Sequence, residues 1–342
     1  GDSLLIELRG SEATVSISSF ETKPVVSFLR DFSAPVKVDY PRPASELAFL
    51  VEHDMNGFVR WDALQSLWVG YFSAELELDL GEVIGKLGQQ AATNIDAEQL
   101  QLLAMMLNVP EISYLFEALG DFEVDTLLRQ REEVIGKIAF KNQAVWAGLY
   151  EQHSATGAYE PSADGMAQRS VRNAAFAYHV RTLQGTELVD AVQRHYKEAD
   201  NLTDRRVALK AALSEPEFPT YRRRELLSDF YDKWQHEALV IDLWFNLQAQ
   251  SAVLSLDEIK ALEDHPAFDL KNPNRARALF SVFGMLNHSR FHAIDGSGYK
   301  YLADAIARLD KINPSVAARM CAPLTLWRRY DALRQERMRE AL

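Results

Sequence analysis

The apolar positions of this chain change period once. From Leu4 to Val38 the period is two: Leu4, Ile6 and Leu8 alternate with Leu5 and Glu7, and Val15 and Ile17 alternate with Thr14, Ser16 and Ser18. Residues two apart share one face of an extended chain, so these runs predict short strands. A third run, Val25 to Leu29, follows Pro24, and Pro35 marks an exit before Val36-Lys-Val38 and the Pro41-Arg-Pro43 boundary. Three or four strands are fewer than the roughly seven of an immunoglobulin-type sandwich. A small sheet alone is marginal in water. The expectation is that residues 1–40 are the final strands of an incomplete immunoglobulin-like β-sandwich whose partner strands lie upstream.

After Ser45 the period becomes 3.6, and glycine and proline fall between amphipathic runs rather than within them. Asp96 with Gln99 three residues on predicts a capped helix whose Leu100, Leu103, Met106 and Leu107 share a face, ended by Asn108-Val-Pro110. Ser255 with Glu258 predicts a capping box. Asn272-Pro273 and Asn313-Pro314 each place a capping side chain before a proline, which suits the first helical position because its N–H has no partner there. Further helices fit 61–78, 124–152, 166–183, 187–198, 205–213, 221–234 and 237–248. Short links between a dozen or so such helices predict a mainly α domain over 41–342, stacked in the HEAT or armadillo manner. Without a fixed-period repeat the solenoid is expected to be irregular.

Composition narrows the function. Among 342 residues, 37 Lys+Arg stand against 49 Asp+Glu, a formal charge of −12 that opposes the phosphate attraction behind most nucleic-acid binding. Apolar residues make up 47%, ample for a core. The longest charge-free stretch, Leu243 to Leu256, includes Asn246 and Gln248 and is shorter than the roughly 18 to 20 apolar residues that span a bilayer. A single cysteine, Cys321, makes no internal disulfide, and with no signal-like start a cytoplasmic location is expected.

Candidate chemistry is sparse. His236-Glu237-Ala-Leu-Val240 approaches a zinc-hydrolase helix, but valine stands where a second imidazole would share the metal. It reads as the start of a core-facing helix from Trp234 to Trp244. His288 and His292 are four apart, yet the Asp295-Gly-Ser-Gly298 turn argues for a loop there, with Asp295 or Ser297 capping a helix at Tyr299. Cys321, beside Met320 and Ala322, reads as a packed thiol. No metal ligands and no catalytic pair are assigned. Arg277 after Pro273 and Arg319 after Pro314 are expected in first helical turns, where the helix dipole prefers an anion. Something should offset them: a pairing with acids such as Asp295, Asp304 or Asp310, or a concave wall that presents guanidinium groups to a peptide.

The order Asn272-Pro-Asn-Arg-Ala-Arg277, Phe291-His-Ala-Ile-Asp-Gly-Ser-Gly-Tyr299, Asn313-Pro-Ser-Val-Ala-Ala-Arg319 and Trp327-Arg-Arg-Tyr-Asp331 resembles the carboxy-terminal helical domain of the bacterial aminopeptidase N family. Phe32-Ser-Ala-Pro-Val-Lys37, Arg60-Trp-Asp62 with Gln65, Arg169 through Asn173, Asn201-Leu-Thr-Asp204 and Asp232-Lys-Trp-Gln-His236 recur in the same order, so the resemblance runs from about Pro24 onward. It implies a gluzincin parent whose zinc, H-E-x-x-H helix and G-A-M-E-N loop all lie upstream, with no cofactor held in these residues. It also implies that this portion partners the upstream catalytic and β-sandwich domains, that it closes over a peptide substrate, and that Arg277, Arg319 and Ser315 line the cavity. Ser315 stands where relatives commonly have glutamine, a departure that bears on specificity. Trp61, Asn201 and Thr203 read as structural. The alternative is a free-standing helical-repeat module that binds a protein or peptide without any reaction.

Overall fold

A computed structural model describes residues 3–17, 21–36, 38–93, 95–120, 122–154 and 159–342. The predicted strand position Ser18 and the linker residue Lys37 lie outside these.

The helical part follows the period-3.6 pattern closely. It opens with α1 (Ala44–His53), α2 (Gly57–Phe72), α3 (Leu80–Ala91), α4 (Ala97–Met106) and α5 (Ile112–Leu119). The single helix expected over 124–152 is two, α6 (Val124–Lys141) and α7 (Gln143–Gln152). The break is at Asn142, whose side chain donates to Gly81 O at 2.8 Å and to Ile138 O at 3.1 Å. Next come α8 (Ala163–His179), α9 (Gly185–Glu198), α10 (Leu202–Ala212), α11 (Thr220–Trp234) and α12 (Ala238–Ala249). After the short α13 (Leu256–Lys260), α14 (Pro273–Ala276) leads through a π-turn (Arg277–Ser281) into α15 (Val282–Leu286). The chain finishes with α16 (His288–Phe291), α17 (Ser297–Asp310), α18 (Pro314–Met320), α19 (Ala322–Thr325) and α20 (Ala332–Ala341).

The predicted caps form. Asp96 accepts from Gln99 N at 2.8 Å, both halves of the Ser255–Glu258 box are present, and Asn272 and Asn313 cap the two Pro-led helices. Such caps satisfy N–H groups that have no partner inside the helix. Neighbours in sequence pack as pairs, α1 on α2, α7 on α8, α9 on α10, α11 on α12 and α17 on α18, while α3 on α6 and α4 on α8 tie one pair to the next. A continuous core runs through the stack, with Trp68, Trp146, Phe176, Phe230, Phe245 and Phe283 at its centre. In α2 the fully buried anchor is Trp68, while Trp61 is half-buried and packs against the edge of the core.

The amino-terminal expectation is corrected. Among the described residues of 3–43 there is no strand, so the final strands of a β-sandwich are not formed here. Leu4, Leu5, Ile6, Leu8, Val15 and Ile17 are exposed, and Leu5 is 81% exposed. The physical reason is that a strand is held by ladder bonds to a neighbour and by a buried face, and this segment has neither. It is fixed further on. The turn Arg30–Phe32 packs on α2, Arg30 pairs with Asp54 at 3.3 Å, and Asp31 N–H donates to Asn56 at 3.2 Å.

Candidate functional site

Arg277 opens the π-turn, in which the Val282 N–H reaches back five residues to Arg277 O. Such wide turns leave a helix carbonyl without its usual partner and recur at functional sites. Here the Arg277 Nε donates to Pro273 O at 3.1 Å and another of its guanidinium N–H groups donates to Asn274 Oδ1 at 2.6 Å. The side chain is therefore held along the exposed surface of its own helix. α18 packs against this π-turn, so Ser315 and Arg319 lie on the neighbouring element. Both are exposed.

Two expectations about these arginines change. Arg319 falls in the last turn of α18, where the dipole favours a cation, and Arg277 stands beyond the first turn. Neither is placed against the dipole. Among the described residues neither pairs with a carboxylate, Asp295, Asp304 and Asp310 included. The geometry therefore presents two guanidinium groups and a hydroxyl to solvent from adjacent elements. Such groups suit bidentate contact with carboxylates and hydrogen bonds to peptide carbonyls.

The arginines with structural duty are others. Arg275, buried two residues before Arg277, pairs with Asp242 at 2.7 Å, lies 4.9 Å from the Phe245 ring and donates to Ala267 O. Arg334, 2% exposed, donates to His292 O at 2.9 Å, to Asp331 at 2.8 Å and to Asp125 at 2.8 Å. The last bond joins α20 to the start of α6 across 209 positions, so the end of the stack is fastened to its middle. Sequence reading missed this fastening. Its one local signal was Asp331, which caps α20 three residues before Arg334.

Around Arg334 is an aromatic seam. Phe116 meets Phe122, His288, His292 and Tyr330 with ring centroids between 4.3 and 6.0 Å. His288 and His292 do share a face, their rings parallel and 6.0 Å apart, because a one-turn helix forms where a loop was expected. His292 Nδ1 is 2.9 Å from Tyr299 Oη, and burial lowers both imidazoles, His288 to about 4. The turn that follows differs from the expected cap: the helix starts at Ser297 with Gly296 (φ 73°) as its N-cap and no capping side chain, while Asp295 accepts from Ser297 N at 2.9 Å and a Cβ on Gly298 would lie 2.4 Å from Arg290 O.

His236 and Glu237 stand just before a core-facing helix rather than inside it, with Glu237 at the N-cap position of α12. α11 ends at Trp234 and α12 starts at Ala238, leaving both residues exposed in the turn between. Among the described residues no three His, Cys, Asp or Glu side chains gather as a metal would require. The residues present do not fit a zinc centre. Two family-like segments do meet. Asn173 donates to Asp204 at 2.8 Å, Asn201 caps α10 and donates to Asp204 at 2.9 Å, and Arg172 lies 3.7 Å from the same carboxylate. Their role is structural, as expected of Asn201. Thr203 sits exposed in the first turn. Beside this network His195, fully buried, stacks on Phe176 and contacts Tyr150 Oη at 3.2 Å, and burial lowers its pKa to about 4. Cys321 is half-buried and its thiol faces Ala317 O at 3.6 Å.

With this geometry in view, comparison with known proteins is informative. A model of a domain of unknown function built of ARM repeats (DUF3458_C) matches residues 44–342, starting at the first residue of α1. Aminopeptidase N of Haemophilus influenzae is 35% identical over 332 residues, 94% of this chain and 37% of that protein. Aminopeptidase N of Escherichia coli is 33% identical over 346 residues, 99% of this chain and 39% of that protein. Among solved structures, Legionella pneumophila aminopeptidase A in complex with aspartic acid superposes with a TM-score of 0.80 at 26% identity, over 94% of this chain and 38% of that one. The chain thus spans about two fifths of the length of the curated relatives it matches, in their carboxy-terminal part. Among the described residues, no helix is long and apolar enough to cross a membrane.

Proposed function

The chain belongs to the DUF3458_C family of ARM-repeat domains, and from that premise we propose that it is the non-catalytic carboxy-terminal portion of a zinc-dependent aminopeptidase of the N type, closing over the active site and walling its peptide cavity. The observation that carries this reading is coverage: nearly the whole chain aligns with less than half of each aminopeptidase. Zinc and the groups that bind and activate it are assigned to the rest of the parent, because the side chains described here offer no ligand set. What these residues contribute is shape and charge. A stacked wall excludes bulk water and so strengthens the electrostatics of whatever it encloses. Arg277 and Arg319 orient an incoming peptide through its carboxylates and carbonyls, and Ser315 beside them tunes side-chain preference.

Residues 1–40 are, in this reading, a unit separate from the helical domain of 41–342. The family match, which begins at residue 44, supports a boundary there. The partners are then the catalytic and β-sandwich domains of the same chain and a peptide substrate, in the cytoplasm. The test is direct. The purified 342-residue chain should cleave no amino-acid anilide and retain no stoichiometric zinc. Turnover that copurifies with bound zinc, after contaminating peptidase is excluded, overturns the proposal.

A further inference from the structure

Charge is distributed unevenly along this acidic chain. Residues 271–342 hold 13 Lys+Arg against 6 Asp+Glu, a balance of +7, whereas residues 1–270 hold 24 against 43, a balance of −19. Part of the excess is neutralised: Arg275, Arg308, Arg334 and Arg337 all have carboxylate partners. Of the other nine, two lie against one indole. Trp327 opens the short 3-10 turn Trp327–Arg329, with the Arg328 guanidinium 4.4 Å from its ring centroid and that of Arg339, from α20, at 5.6 Å. Both arginines are exposed. Among the described residues neither guanidinium meets a carboxylate, although Arg334 and Arg337 on the same helix do.

This arrangement has a chemical consequence. Stacking on an indole occupies the flat face of a guanidinium and leaves its edge, with the donors matched to a carboxylate, turned elsewhere. Two cations held against one ring also repel each other, and an anion shared by both offsets that repulsion. Next to them Arg329, also exposed, borders a narrow crevice of about 50 Å³ with Met285, Pro323 and Leu326. An apolar side chain flanking an acidic one would have a place there. The patch is continuous with the candidate site, because α18, which carries Arg319, runs through α19 into the Trp327 turn with single residues between.

We propose that Arg328 and Arg339, held against Trp327, together with the adjacent Arg329 at the crevice, form a carboxylate-binding patch that takes acidic segments of a peptide. The inference rests on the reading of this array as a peptide wall and names the peptides it favours. It is tested by fluorescence anisotropy on the whole 342-residue chain, with a labelled glutamate-containing peptide and its glutamine counterpart at low salt. The glutamate peptide should bind roughly tenfold tighter, and the preference should vanish in R328Q/R339Q while K300Q/K311Q, which loses the same charge from exposed lysines, keeps it. Equal affinity for the two peptides overturns the patch, as does a preference that survives R328Q/R339Q. Loss of the preference in K300Q/K311Q shows a net-charge effect only and overturns it too. Self-association of the acidic chain through this patch, seen by sedimentation without peptide binding, also overturns it. If both peptides bind alike, the wall reading stands without this patch; zinc-dependent turnover by the chain would sink the wall reading and leave the peptide preference measurable.

Discussion

Arg334 and the pair Arg277 and Arg319 lie within the same last 72 residues, yet the fold puts them to opposite uses. Arg334 is buried and saturated, bonded to a backbone carbonyl and two carboxylates. Arg277 and Arg319 are exposed and meet no carboxylate among the described residues. The difference teaches that arginine content says little about function here, because what decides is whether the fold supplies acceptors. A buried guanidinium without acceptors is costly, so Arg334 is tied down from three sides. At the surface no carboxylate is needed: among the described residues Arg277 bonds only to acceptors on its own helix, and the exposed donors of both arginines face water and any ligand.

The contrast is broken most severely at Arg334. Arg334→Ala removes the fastening between α20 and α6 and opens a hole beside His292, and should lower unfolding free energy by about 3 kcal/mol, read by urea denaturation. A loss below about 0.5 kcal/mol would show that the seam closes without it.

Acid should act on the same seam, and on the buried His195 beside α8, with somewhat smaller effect per group. The folded-state pKa values of His195 and His288 are about 4, and His292 is well below its ordinary 6.5. The unfolded chain therefore takes up protons first as pH falls. Stability from these groups is complete above about pH 6.5 and, for His195 and His288, declines between there and about pH 4 by on the order of 2 kcal/mol each, with His292 acting in the same direction. Arg131, Arg334 and Asp331 face the seam pair, with the arginines opposing protonation and the aspartate favouring it. Thermal melts across that range check the sign; a melting temperature flat from pH 7 to 4.5 would mean that the imidazoles are hydrated in the folded state.

At the exposed pair the effect on stability should be smallest. Arg277→Ala and Arg319→Ala are each expected to change unfolding free energy by less than about 0.5 kcal/mol. If the chain walls an aminopeptidase cavity as proposed, the same substitutions made in that complete enzyme should raise KM for oligopeptides several fold. Unchanged KM and kcat would leave them as solvated surface charges and remove the functional half of the comparison.

Much of the helical domain was legible because its signals are local. Asp96 with Gln99, Ser255 with Glu258, Asn272-Pro273 and Asn313-Pro314 fix helix starts through bonds that span three residues or fewer, and all four formed. The failures share a cause. Nothing near Asn142 announces the break between α6 and α7, since its partner Gly81 is 61 positions away. The one-turn helix that aligns His288 with His292 is supported by Asn287, which caps it and also holds Ala249 O and Ser251 O from another helix end. The strand expectation failed for the complementary reason: alternation marks a chain ready to pair, and pairing needs a neighbour.

By itself the sequence determined most of the helices, the four caps and the absence of a paired zinc-ligand helix, because each of these depends on residues within one or two turns of each other. Only the tertiary structure decided which arginines are buried against carboxylates and which stay exposed, where the stack is fastened, and that no strand forms among the described residues of the first segment. Those outcomes depend on acceptors brought in from up to 209 positions away, and no local pattern encodes such a distance.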